Sequence, residues 1–172
     1  MIKYIGAKGA LSTASTDTPA RIVRSYNYSA TIKSIRMTEF NKYGSLCISL
    51  YVGDYMVYLE YDNFKYLLER SLRRKDLETS VITIIDQVSS RGSIRIGCTC
   101  PDFVYRFKYL ASKKKYLTHA MKLEGRPAKI TNPGNKGVAC KHALIVVKNS
   151  TTILSEIIPY LVSRLSGIYG GE

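Results

Sequence analysis

The chain has 172 residues, of which 45% are hydrophobic, enough to form the core of one medium-sized domain. No apolar run approaches the roughly 20 residues that span a bilayer and the N-terminus lacks a secretory signal, so we expect a soluble cytosolic protein without disulfides. The formal net charge of +13 favours an acidic partner, namely nucleic acid, an anionic protein surface or a phospholipid headgroup, with simple solubility as the alternative.

The N-terminal part of the chain predicts an arm followed by strands. Residues 6–19 are small, polar and without period, which indicates a flexible arm over residues 1–20. From Arg21 the stretch RIVRSYNYSATIKSIRM is typical of a strand. LCISLYV and YMVYLEY then flank Gly53-Asp54, which predicts a hairpin. Pairing outward from this turn gives one apolar face made of Val52, Leu50, Ile48 and Leu46 opposite Tyr55, Val57, Leu59 and Tyr61. Cys47 falls on the other face, where a small packing residue is expected.

Two helices and a further strand follow the hairpin. Asp62 is the expected N-cap of the first helix, whose apolar residues recur at helical spacing and whose last turn is basic. Asp76 is the expected cap of a second helix up to Val88, and the β-branched run VITII leaves a strand as the alternative there. SSRG ends this element, and SIRIGC predicts a strand that ends with Cys98.

Three of the four cysteines and one of the two histidines form two short clusters. Cys98 and Cys100 lie two residues apart at the end of a predicted strand, so both sulfurs can point the same way. Cys140 and His142 begin the segment CKHALIVV, whose apolar density predicts a buried helix. Three thiolates and one imidazole make a closed tetrahedral site of the kind that holds one structural Zn²⁺. A Cys98–Cys100 disulfide, a chance pairing of the clusters and a catalytic Cys₂His site are the alternatives.

The pattern C-x-C followed by C-x-H, here CTC and CKH, resembles the SWIM-type zinc finger, a ββα module. The resemblance covers residues 93–150, makes Cys98, Cys100, Cys140 and His142 the zinc ligands, and implies DNA binding or protein–protein contact. The 39 residues between Cys100 and Cys140 exceed the usual spacing and indicate an insertion. The segments CPDFVYRFKYLASKKKYL and RPAKITNPGNKGVACKHALIVV also resemble small proteins of tailed bacteriophages, which implies a role in the virion.

The insertion, residues 103–133, predicts a basic amphipathic helix over 103–122 that is broken near Lys114. Its apolar stripe holds Phe103, Phe107, Leu110, Leu117 and Met121. The candidate contacts for nucleic acid or an acidic partner are Arg106, Lys108, Lys113, Lys115 and Lys122, with a solvated helix as the alternative. His119 is expected at the surface and not as a ligand. The stretch RPAKITNPGNKG predicts an extended loop that leads back to Cys140.

These elements predict an α+β protein: an arm (1–20), an antiparallel sheet with helices (21–92), a zinc-stabilised ββα-like module with its insertion (93–150) and an apolar helical segment (151–172). Pro159 is expected to kink or restart the last helix, which either completes the core or docks on a neighbouring subunit. P-loop, G-x-S-x-G and H-E-x-x-H motifs are absent from the sequence, which favours a binding protein over an enzyme.

The sequence therefore favours a non-catalytic structural or adaptor protein of a tailed-phage particle, in the head–tail connector or tail. Its partners would be other virion proteins or further copies of itself, with DNA as a further partner. It would occur in the host cytoplasm and then in the virion. The alternative is a DNA-binding regulator that uses the finger and the basic helix.

Overall fold

A computed structural model of the chain describes residues 32–38, 44–91, 93–135, 137 and 139–169. Within this part the fold is α+β, as predicted, with one antiparallel sheet and six α-helices. The arm at 1–20 and the first part of the strand predicted from Arg21 lie outside the described residues.

The described strands follow one another across the sheet in chain order. They are β1 (Ile32–Thr38), β2 (Leu46–Val52), β3 (Tyr55–Tyr61) and β4 (Ile94–Cys98). The β2–β3 register runs from Val52 opposite Tyr55 to Leu46 opposite Tyr61, which confirms the predicted hairpin. Gly53 occupies the turn at φ 60°, where a side chain would be strained. The hairpin's predicted apolar face is buried apart from Tyr55, which packs against the core.

The helices lie between and after the strands. They are α1 (Phe64–Leu72), α2 (Leu77–Arg91), α3 (Lys108–Lys113), α4 (Lys141–Lys148), α5 (Ser150–Glu156) and α6 (Ile158–Tyr169), with a π-helix at Phe103–Phe107. The preference for a helix over a strand across VITII is confirmed by α2.

One of the two predicted helix caps is correct. Asp76 caps α2, because its carboxylate accepts hydrogen bonds from the backbone N–H and the hydroxyl of Thr79 at 2.8 and 2.7 Å. The prediction for Asp62 is wrong: Asn63, at φ 61°, is the N-cap of α1. The Asp62 carboxylate instead accepts from Ser93 Oγ at 3.1 Å and Arg95 Nε at 3.0 Å, since Asp62 directly follows β3 and lies beside β4.

The helices pack on the sheet and on one another and complete the core. Helix α4 packs on β3 and β4, whereas α2 packs on α1, α5 and α6. Buried side chains of the C-terminal segment include Ile153, Leu154, Leu161 and Leu165, so this segment belongs to the core of its own chain. Pro159 is the second residue of α6, which is the predicted new start. Among the described residues, no helix combines the length and the apolar character needed to cross a membrane.

The predicted boundary between the sheet region and the zinc module falls between α2 and β4. Strand β4 nevertheless pairs with β3 along its length, from Tyr61 opposite Ile94 to Val57 opposite Cys98. The buried apolar side chains of both regions form one cluster. The first cysteine cluster is therefore attached directly to the central sheet.

Candidate metal centre

Four metal-ligating side chains converge at the end of β4. Cys98 is the last residue of this strand, Cys100 lies two residues beyond it, Cys140 is the N-cap of α4, and His142 is the second residue of α4. One donor atom from each of the four lies within 4.8 Å of the other three, and all four side chains are buried. The two clusters separated by 39 residues thus form one group that could hold a single metal ion.

The spacing of the donor atoms suits tetrahedral coordination. Metal–sulfur distances of about 2.3 Å and metal–nitrogen distances of about 2.0 Å place tetrahedral ligand atoms roughly 3.5 to 3.8 Å apart. The observed limit of 4.8 Å requires only small side-chain adjustments to reach that geometry. None of the four cysteines of the chain forms a disulfide, so all three sulfurs of the group are available as ligands.

Backbone N–H groups point at all three sulfurs. Cys98 Sγ accepts from the N–H of Cys100 and Cys100 Sγ from the N–H of Phe103, each at 3.4 Å, and Cys140 Sγ accepts from the N–H of Ala143 at 3.5 Å. Hydrogen bonds to the charged form stabilise a thiolate. The local backbone is therefore arranged for deprotonated sulfur, the form that binds metal.

The three thiol groups lie so close together that a thiolate at one of them disfavours deprotonation of the other two. Hydrogen bonds from Cys140 and Cys98 hold the pKa of Cys100 far below its ordinary value. The hydrogen bond to Cys100 raises the pKa of Cys98 to about 12, and burial raises the pKa of Cys140 well above its ordinary value. A dication at the centre would remove this effect, because it stabilises all three thiolates together. The group could therefore hold a metal cation.

Two contacts from β3 position the ligands, and neither is evident from the sequence pattern. The Tyr55 ring packs on the His142 ring with centroids 5.0 Å apart and an angle of 35° between the planes. Thr99, between the two ligating cysteines, accepts from the Met56 N–H at 3.0 Å and donates its own N–H to the Met56 carbonyl at 2.9 Å. The hairpin therefore holds both the imidazole and the CTC segment.

The predicted break near Lys114 is confirmed, because the helix ends at Lys113, but the prediction of further helix up to residue 122 is wrong. A π-helix spans Phe103–Phe107 and α3 ends at Lys113, after which Tyr116 and Thr118 hydrogen-bond to the backbone of Ile96. Leu117 thereby forms a parallel bridge at the outer edge of β4. An unpaired strand edge offers backbone partners that compete with a helix. The predicted apolar stripe is still directed inward, although its members belong to different elements.

The loop that returns the chain to Cys140 is attached to the π-helix. Thr131 Oγ1 donates to the Tyr105 carbonyl, and Asn132 Nδ2 donates to the Arg106 carbonyl at 3.1 Å. Asn132 is buried. No regular helix or strand is present in the described part of RPAKITNPGNKG, as predicted.

The five candidate contact residues do not share one helix. Arg106 is in the π-helix and pairs with Asp102 at 3.7 Å, whereas Lys108 and Lys113 begin and end α3. Lys115 and Lys122 lie beyond α3. Arg106 and Lys108 are half-buried, and the other three are exposed. The exposed lysines are the members of this set that can reach a partner.

His119 lies apart from the metal group. Its ring contacts the Glu60 carboxylate, which also accepts from the His119 N–H at 2.8 Å and from Thr118 Oγ1 at 2.9 Å. Glu60 is fully buried on the face of the hairpin opposite the core. His119 thus fixes the insertion on the sheet and is not a member of the metal group.

Comparison of the chain with protein-family models, with curated proteins and with solved structures finds no match.

Proposed function

We propose that Cys98, Cys100, Cys140 and His142 bind one structural Zn²⁺ ion and that the chain is a non-catalytic binding protein. The observation that carries this proposal is a buried S₃N donor set in which every sulfur accepts a backbone N–H. Thiolate and imidazole ligands in tetrahedral arrangement are the typical environment of zinc. This arrangement is also what the resemblance to the SWIM-type finger implies.

Four protein ligands leave no coordination position for a reacting water, which catalytic zinc requires. The ion would instead connect the end of β4 to the start of α4 and so stabilise the fold.

Substitution with Co²⁺ tests whether the site binds one ion tetrahedrally and whether all four coordination positions are filled by the protein. A tetrahedral S₃N site predicts strong visible absorption with one ion per chain, and addition of azide should leave the spectrum unchanged. A spectrum that shifts with azide would indicate an open position and refute the structural assignment.

The partner surface proposed here is the insertion. It exposes three large apolar side chains, Tyr105, Leu123 and Ile130, at 67, 72 and 94% of their full accessibility. Exposed lysines at 113, 115 and 122 accompany them. Several large exposed apolar side chains on one segment are typical of protein–protein contacts. They support an adaptor that binds other proteins of an assembly.

The assembly we propose is a tailed-phage particle, on the sequence resemblance of the insertion and the CKH segment. Mass spectrometry of virions purified from the source tests this: the protein should be present in stoichiometric amount. Its absence from particles, together with duplex-DNA binding that charge reversal at Lys113 and Lys115 abolishes, would favour the alternative of a DNA-binding regulator.

A further inference from the structure

The junction of α1 and α2 forms a basic surface pocket away from the metal ligands. The pocket has a volume of about 470 Å³. Four cations, Arg70, Arg73, Arg74 and Lys75, line it, and the lining residues include no carboxylate. The volume lies within the roughly 300 to 1,000 Å³ typical of ligand sites. A pocket with four positive charges and no negative lining residue is suited to an anion.

The part of the chain that the structure describes does not neutralise the three arginines. Arg70, Arg73 and Arg74 form no ion pair with any other described residue. The two carboxylates next to these cations in sequence have other partners. Glu69 pairs with Lys65 at 3.8 Å and accepts from the Tyr169 hydroxyl at 3.1 Å, and Asp76 accepts from the N–H and the hydroxyl of Thr79. An alternative role for these cations is to interact favourably with the dipole at the C-terminal end of α1. That role does not explain why the cations line a pocket together with residues of α2.

The second helix contributes polar groups that order the pocket. Lys75 Nζ donates to Thr83 Oγ1 at 3.1 Å, so the ammonium group is held against α2. Gln87 of α2 and Ser71 of α1 add hydrogen-bonding side chains to the lining. Guanidinium groups bind phosphate oxygens in pairs, and an ordered ammonium adds a point charge.

We infer that this pocket binds backbone phosphates of a nucleic acid. All four cations are exposed, so they can reach a ligand that extends beyond the pocket. A small phosphate compound would instead normally be enclosed by its site over most of its surface. The net charge of +13 also attracts a polyanion more strongly than a single phosphate group. This site is distinct from the insertion and does not depend on the function proposed above.

The test uses the full-length protein and a fluorescein-labelled DNA duplex of 20 base pairs and mixed sequence. Anisotropy would be measured over a series of salt concentrations. The pocket variant Arg73→Gln/Arg74→Gln is compared with the insertion variant Lys113→Gln/Lys115→Gln, which removes the same charge. The Kd of the pocket variant should rise roughly tenfold at low salt, and its slope against log salt should fall by about 2, since each lost phosphate contact contributes about 0.9.

Unchanged thermal unfolding of both variants is the folding control, since surface substitutions usually shift stability little. Arg70→Gln alone gives a second measurement with a smaller expected loss. Equal losses in the pocket and insertion variants would show attraction by net charge alone and overturn the inference. Loss in the insertion variant only, or arginine-dependent binding of pyrophosphate without binding of the duplex, would overturn it as well.

Discussion

Replacing Cys140 by Ser separates the metal from every other role of this residue. Cys140 is the N-cap of α4, and Ser is among the best N-cap residues, so the helix start is preserved. The side chain remains small and nearly isosteric in its buried position. What is lost is one thiolate of the group of four. Any large effect of the substitution must therefore come from the metal.

The size of the effect follows from the segment that the ion closes. An ion bound to both Cys100 and Cys140 cross-links a loop of 40 residues. Applied to this loop, the chain-entropy relation for cross-links gives roughly 4 kcal/mol of stability. In a chain of this size, the unfolding temperature should fall by roughly 8 to 16 °C.

The assay combines metal analysis with thermal unfolding followed by circular dichroism. Wild type should carry one zinc ion per chain, and Cys140→Ser should carry less and unfold earlier. Cys47→Ser is the matched control, because it makes the same chemical change outside the metal group. Cys47 is half-buried on the face of β2 that points away from the apolar core. Full zinc content with unchanged unfolding in Cys140→Ser, or equal destabilisation by Cys47→Ser, would refute the reasoning.

Three further substitutions test the fold around the site. Gly97→Ala places a methyl group 2.6 Å from Met121 Sδ and from Thr118 Cγ2, so it should destabilise the protein by about 1–3 kcal/mol in denaturant unfolding, and an unchanged midpoint would contradict this packing. Leu161→Ala should cost about 2–5 kcal/mol independently of protein concentration, because α6 belongs to the core of its own chain; a dependence on concentration would indicate docking between chains. Asp76→Ala should lower the unfolding temperature at pH 7 by about 2–4 °C through loss of the α2 cap. Hydrogen bonds from Thr79 lower the pKa of Asp76, so its contribution is present above the carboxyl's ordinary pKa of 3.8 and is lost as the pH falls through the lower folded value. The difference between wild type and Asp76→Ala should therefore shrink in acid, and a difference that grows there would contradict this sign.

Local patterns in the sequence were sufficient for much of the fold. Alternation and the Gly53-Asp54 turn predicted the β2–β3 register residue by residue, because a hairpin's register follows from its turn and from the face that must be buried. Spacing by two predicted that Cys98 and Cys100 act together, and the apolar run after Cys140 predicted the helix α4. These features depend on residues close in sequence, of which the most distant pair, Leu46 and Tyr61, belongs to one hairpin.

Only the tertiary structure decided which distant segments meet. The meeting of the two ligand clusters depends on β4 pairing with β3 and on α4 packing over both strands. The course of the chain after Lys113 has the same origin: residues 116–118 belong to a stretch with helical spacing, but the outer edge of β4 offers them backbone partners. Periodicity does not reveal this edge, because it exists only once the sheet is assembled. The basic pocket likewise depends on the packing of α1 and α2, which brings Lys75 against Thr83. A run of cations in the sequence predicts positive charge, but it does not predict which residues of another helix will complete a pocket around that charge.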